Sequence, residues 1–304
     1  MKFTKKANKS SKKRGFSFIE LSIVIAIIGA LASGIIGGQK AVELAALNGA
    51  RSTTQTSPVT AMDGIVLWLD TTSKKSFDKS ETKNSSLITN WYDINPKLND
   101  PINFNQTSAS FKPTYTAKAI GRLPALLFNG SSFNSVNNIG IDRIASYIGE
   151  ITIFVVARDD GFGYPNYVHS GFFWFWTTNP NRVGFDFTYP TMFFNYGVCC
   201  GTDGRISANI TSYQSKWTIF TGVRKSNTAE IRVNGITKAG PTVSAINALP
   251  HNSQVQLIIG TGTGPGDRLA GGVAEVIVFN RGLGASEVAD VEAYLSQKWK
   301  IKLQ

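Results

Sequence analysis

The chain is poor in the residues that build most metal and nucleophile sites. It has two cysteines, and they are adjacent, Cys199-Cys200. Two neighbouring thiols exclude a disulfide-stapled scaffold and a four-cysteine zinc site. Its two histidines, His169 and His251, lie far apart, and neither has a helical partner four residues away. That leaves no histidine-based metal motif. Charged residues are only 17% of the chain, and their distribution is uneven. Residues 1–15 contain no acid, and no proline occurs before Pro58. Closely spaced acids on one strand, in a pattern such as ExDxxE, are missing too. A glycosidase needs two carboxylates flanking a cleft. Asp159-Asp160 are adjacent and face opposite ways in a strand, and Asp186 stands alone among aromatics. A hydrolase is therefore not expected.

The basic residues explain the net charge of +11. Lys2, Lys5, Lys6, Lys9, Lys12, Lys13 and Arg14 account for seven of the 31 basic residues, leaving 24 against 20 acids, about +4 for the remainder. A cluster placed immediately before an apolar run follows the positive-inside rule. Nucleic-acid binding by the folded part is accordingly not expected.

From Phe16 to Gly38 the only charged residue is Glu20. As a helix, this run spans roughly 35 Å, enough to cross a bilayer. A secretory signal peptide would end its apolar core sooner, at a small-x-small site. Here the run passes into KAVELAALNGA, which still reads as helix. Glu20 needs a partner at the edge of hydrocarbon. Cleavage between Gly15 and Phe16 would supply one, the new α-amine four residues away or that of a neighbouring subunit. Gly29, Gly34, Gly37 and Gly38 allow close helix contact in a membrane and weaken the helix in water. GIIGG at 34–38 is the expected place for bending. The helix is expected over 16–50, ending near Asn48-Gly49. RSTTQTSP, 51–58, reads as a linker.

The stretch KKRGFSFIELSIVIAIIGALA resembles the processing signal and N-terminal helix of type IV pilins and secretion pseudopilins, over about residues 13–50. The resemblance implies that a prepilin peptidase cuts after Gly15 and N-methylates Phe16, and that Glu20 pairs with the N-terminus in assembly. Other pilin subunits and an inner-membrane assembly platform are the implied partners. The implied course is a single-pass bacterial inner-membrane precursor with the leader cytoplasmic, then a periplasmic or extracellular filament.

After residue 59 the pattern changes to short apolar strands separated by turn residues. The expected strands cover 61–70, 123–128, 151–158, 170–176, 182–189, 217–224, 229–235, 255–262 and 271–280. Asn234-Gly235 reads as a hairpin turn. The clear helix comes last, at 285–299, with Val288, Val291, Tyr294 and Leu295 on one face and Ser286 as its expected cap. The fold class is mainly β: a long N-terminal helix, then a β-sandwich over 59–304 with a short C-terminal helix. The order of GIVLWLD, WYD (91–93), FKPTY (111–115), GRLPALLFNG (121–130), IRVNG (231–235), LIIG (257–260) and the stretch 271–299 resembles the concanavalin A-like, LamG-like jelly roll. That family holds carbohydrate-binding modules, glycosidases and interaction domains, so the resemblance alone leaves the function open.

Aromatic residues crowd 162–196. In a regular strand Phe172, Trp174 and Trp176 face one way and Phe173 and Phe175 the other, so both sets cannot fill one core. One set either forms an exposed platform or is covered by other segments. Tyr164, Tyr167, Trp174, Trp176 and Tyr189 are the candidates for a platform that stacks on a glycan or another surface ligand. Cys199-Cys200 either close a strained eight-membered ring or remain thiols. Asp267, in TGTGPGDR, is either a calcium ligand in a glycine-rich loop or a surface turn. No other cofactor is expected. The expected function is a minor or adhesive subunit of a type IV pilus-like filament carrying a jelly-roll head. The alternatives are a type II secretion pseudopilin and a carbohydrate-binding surface adhesin. A deletion strain's surface piliation separates the pilus from the pseudopilus.

Overall fold

The computed structural model describes residues 18–130, 132–135, 139–140, 144, 150–161, 170–176, 181–188, 190–198, 204–243, 254–260 and 269–304. The chain divides into two units, Met1–Ala45 and Ala46–Gln304. The helix α1 spans Phe18–Gln55. It therefore runs past the stop expected at Asn48-Gly49 and takes in most of the expected linker. Its last turns are held by packing: Ala50 is buried, with Ala46 and Leu47 against the same cluster. Tertiary burial outweighs the poor helix propensity of Gly49 and Ser52-Thr53-Thr54.

In the first unit, Leu21, Ile23, Val24, Ile25, Ile27 and Ile28 are all exposed. At 100° per residue these positions cover an arc of roughly 200° of the helix. Among the described residues no helix is long and apolar enough to cross a membrane. The apolar run 16–38 includes residues whose side chains lie outside that set.

The second unit is a β-sandwich. In chain order its strands are β1 (Ile65–Asp70), β2 (Asn90–Trp91), β3 (Phe104–Asn105), β4 (Thr114–Ile120), β5 (Leu123–Asn129), β6 (Phe133–Ser135), β7 (Ile139–Gly140), β8 (Ile151–Asp159) and β9 (Ser170–Trp176). Then come β10 (Asn181–Thr188), β11 (Thr191–Val198), β12 (Arg205–Asn209), β13 (Thr218–Lys225), β14 (Thr228–Val233), β15 (Ile236–Val243), β16 (Gln254–Ile259) and β17 (Ala270–Phe279). The helix α2, Ala285–Trp299, follows. Among the described residues one sheet has eight strands in the order β15-β14-β13-β8-β17-β5-β4, with β1 also on β17. The other has nine, in the order β12-β11-β10-β9-β16-β6-β3-β2, with β7 also on β16.

Four strands of the first sheet, β1, β8, β13 and β17, are buried on both faces, which explains their near-continuous apolar sequences. Along β8, Ile151, Ile153, Val155 and Ala157 enter the core between the sheets. The alternate residues Phe154 and Val156 enter a second layer with Val288, Val291 and Leu295 of α2. Strand alternation thus splits one apolar run between two cores. Asn234 and Gly235 join β14 to β15 with φ of 48° and 84°. Positive φ at both central residues is the two-residue hairpin turn that Asn-Gly favours.

Two register shifts redirect side chains. Between β10 and β9 the pairing slips from Phe185↔Phe173 to Asp186↔Gly171, leaving Phe172 as the extra residue. Phe172 and Phe173 are consequently both buried in the core between the sheets. This corrects the expectation that they face opposite ways, which held only for a regular strand. Phe172 packs 5.2 Å from Phe220 of the opposing sheet, centre to centre. On β17, pairing with β8 shifts between Val273 and Glu275. Val273 lies in the core between the sheets, whereas Ala274 and Ile277 lie in the second layer. The bulge turns Glu275 away from the sandwich interior and toward α2.

Ser286 does not cap α2. The cap position is Gly284, whose N–H donates to Glu287 Oε2 at 2.8 Å. Arg281 Nη1 and Nη2 also donate to that carboxylate, at 2.9 and 2.5 Å. A carboxylate three residues past the cap satisfies a free N–H and meets the positive end of the helix dipole.

Candidate functional site

Glu275 is the one charged residue in an otherwise apolar strand. Its carboxylate is fully enclosed yet accepts four bonds. Trp68 Nε1 and Tyr294 OH donate to Oε1 at 2.7 and 2.6 Å. Lys298 Nζ and Trp299 Nε1 donate to Oε2 at 2.8 and 2.6 Å. Lys298 also meets Asp70 Oδ2 at 2.8 Å, and both side chains are 0% exposed. Asp70 is further held by Thr72, through its N–H and hydroxyl at 2.8 Å each, and by Thr54 of α1 at 3.1 Å. The network ties the last turns of α1, β1, β17 and α2 together. Two carboxylates facing one ammonium are costly to desolvate, and filling their acceptor sites offsets that cost. Burial pushes the Glu275 carboxyl up, Lys298 pulls it back, and Asp70 raises it again. Burial also pushes the Tyr294 phenol well up, with Glu275 next in effect. The cluster is sealed from solvent, so it anchors elements rather than meeting a ligand.

Beside it opens a cleft of about 520 Å³, lined by Arg51 and Gln55 of α1 and by Lys74 and Lys75 of the loop after β1. Arg51 Nε donates to Thr72 O at 2.8 Å, and burial lowers the guanidinium pKa. At the end of β8, Asp159 is buried and accepts the Gly161 N–H at 3.0 Å. Burial pushes its carboxyl up to about 6. Its neighbour Asp160 instead pairs with Arg158 at 2.7 Å.

The sequence-expected residues divide into three groups. Gly15, Phe16, Tyr164, Tyr167, Tyr189, Cys199, Cys200 and Asp267 lie outside the described residues, as do His169 and His251. Glu20 belongs to α1, with its side chain outside the described set. Trp174 and Trp176 belong to β9, their backbones paired with Gly184 and Arg182 of β10, and their side chains are likewise outside. Among the described residues no group of three His, Cys, Asp or Glu is placed to hold a metal. Sequence reasoning missed Asp70, Lys298 and Arg51 as partners. The signal for the network was Glu275 itself, a lone carboxylate in a buried strand, which demands a cation and donors nearby.

Residues 150–289 match the concanavalin A-like lectin/glucanases superfamily. Residues 10–36 match the prokaryotic N-terminal methylation motif. No curated protein matches the chain. The binding domain of Paraclostridial Mosquitocidal Protein 1 is similar in structure, with TM-score 0.53 and 13% identity over 76% of this chain and 52% of that one. A Trypanosoma rangeli sialidase in complex with sialic acid aligns at TM-score 0.48 and 13% identity, over 78% of this chain. This chain spans only 33% of that sialidase's length. At these identities the likeness concerns the fold. The chain carries a prepilin-like N-terminal methylation motif and, C-terminal to it, a concanavalin A-like, LamG-like jelly roll.

Proposed function

We propose that this protein is a carbohydrate-binding surface adhesin whose jelly-roll head is delivered and held by a pilin-type N-terminus. The observation that carries the reading is the joining of the two in one chain, a methylation motif over 10–36 and a lectin-type sandwich over 150–289. The precursor sits in the bacterial inner membrane with its basic leader in the cytoplasm. A prepilin peptidase cuts between Gly15 and Phe16 and methylates Phe16. Assembly then places the protein in a pilus-like filament as a minor subunit, with other pilin subunits as neighbours. The broad face of exposed apolar side chains on α1 (Leu21, Ile23, Val24, Ile25, Ile27 and Ile28) supports this, because lipid or other helices would cover it. The head binds and does not hydrolyse. The carboxylates of Glu275 and Asp70, sealed and engaged, take no part in that binding.

The test takes sheared surface material and membranes from the producing cell. Mass spectrometry reads the N-terminal peptide, and a glycan panel reads binding by the full chain in detergent. N-methyl-Phe16 in the sheared fraction, together with saccharide binding, is expected. A Met1 start would overturn the pilin part, and absence of any saccharide binding would overturn the adhesin part.

A further inference from the structure

The second layer of the sandwich, under α2, ends at another cleft, of about 470 Å³. Trp217, immediately before β13, forms part of its wall and is half-buried. The indole is rigidly placed. Its Nε1 donates to Ala119 O at 2.9 Å, and the Arg158 guanidinium lies 5.3 Å from the ring centre. Its outer edge lies over Gly272, where an added Cβ would come within 2.5 Å of the ring. Only glycine permits that approach. The segment after α2 supplies another wall. Lys300 turns the chain with a φ of 56°, and Ile301 is buried. Gln304 N–H then donates to Asn234 O at 3.0 Å, while its side chain accepts from Tyr213 OH at 3.1 Å.

This pinning holds Lys300 and Lys302 on the cleft, and Lys216 lies on it too. All three lysines are exposed, and among the described residues no Asp or Glu side chain lines the cleft. Lys216 Nζ donates to the backbone carbonyl of Ser212 at 2.9 Å, so its charge is not neutralised there. The chemistry is specific in combination. A fixed indole offers an apolar wall to the C–H face of a pyranose. The amide of Gln304 and the hydroxyl of Ser212, both exposed on the cleft, suit sugar hydroxyls. Three ammonium groups on one rim suit an anion. A cleft of this volume accommodates a small ligand rather than a polymer strand.

We propose that this cleft is the saccharide site of the head and takes an acidic sugar, with Trp217 as the stacking wall and Lys216, Lys300 and Lys302 holding a carboxylate or sulfate. The inference rests on the adhesin reading and gives that reading a place and a ligand class.

The test is calorimetric titration of the full chain in detergent with sialyllactose, a sulfated heparin disaccharide, lactose and a short oligothymidine. Two variants accompany the wild type, Lys216→Ala with Lys302→Ala, both exposed and so neutral to folding, and Trp217→Phe. The expected result is binding of an acidic sugar that weakens about tenfold or more in the lysine pair, since hydrogen bonds to charged groups are the strong ones. Trp217→Phe is expected to weaken it by a smaller factor. Preference for sialyllactose or for the sulfated disaccharide identifies the anion. Sugar binding unchanged in both variants overturns the site while leaving the adhesin reading in place. Lactose binding as strong as acidic-sugar binding overturns the ligand class. Oligothymidine binding in place of sugar overturns both, as does no binding of any probe.

Discussion

A single side chain, Lys298, carries the compensation for two buried carboxylates. Its ammonium touches Asp70 and Glu275 at 2.8 Å each, with none of the three side chains exposed. Removing one partner of a buried pair leaves an uncompensated charge, at a cost of about 3–5 kcal/mol. Lys298→Met is therefore expected to lower unfolding stability by about that amount. Denaturant unfolding followed by tryptophan fluorescence reads the change, since Trp68 and Trp299 both donate to Glu275. Adding Asp70→Asn and Glu275→Gln to the same variant is expected to recover part of the loss. A loss below about 1 kcal/mol for Lys298→Met alone would mean that the ammonium is not what holds the pair.

At the scale of elements, α2 depends on a cap that its sequence hides. Glu287 holds the Gly284 N–H and the Arg281 guanidinium. Arg281, and then the Gly284 N–H, bring its carboxyl down to about 2. The sign follows from that depression. The contribution is complete above the ordinary carboxylate pKa and is lost as pH falls from about 4.5 toward 2. Glu287→Gln is expected to cost about 1 kcal/mol at pH 7. The gap between wild type and variant, measured by urea unfolding, should close as the pH is lowered through that range. A gap that stays constant with pH would assign the loss to packing instead. Much of this level was legible in the sequence. Nine expected strands match β1, β5, β8, β9, β10, β13, β14, β16 and β17 in place, and α2 spans its expected residues. The strands not anticipated have physical reasons. β4, TYTAKAI, mixes lysine and alanine into a partly exposed edge, and β12 and β15 are edge strands as well. β11, TMFFNYGV, merged with β10 into one aromatic stretch. Bulges leave no periodic mark, so the doubled burial of Phe172 and Phe173 and the turning of Glu275 toward α2 were not readable. The cleft beside Trp217 joins residues from positions 120 to 304, and only folding brings them together.

For the molecule as a whole, the proposed cleavage after Gly15 would divide the chain by charge. Removal of residues 1–15 takes away seven basic groups and lowers the net charge from +11 to about +4, apart from the new amine at Phe16. In the proposed filament that amine is the natural partner of Glu20, four residues along or in the next subunit. A carboxylate among apolar residues costs several kcal/mol unless it is paired, and pairing between subunits makes that cost a drive for assembly. In the same proposal membrane insertion would need no such pair, because the apolar run and the basic leader would direct it. Glu20→Ala is thus expected to leave cleavage at Gly15 and the membrane-bound pool intact while depleting the protein from the sheared filament fraction. Quantitative mass spectrometry of the two fractions reads both effects at once. Loss from both fractions would mean that Glu20 serves insertion or processing. Normal incorporation into filaments would show that assembly proceeds without this charge pair, and the role of Glu20 would then have to be sought within the helix itself.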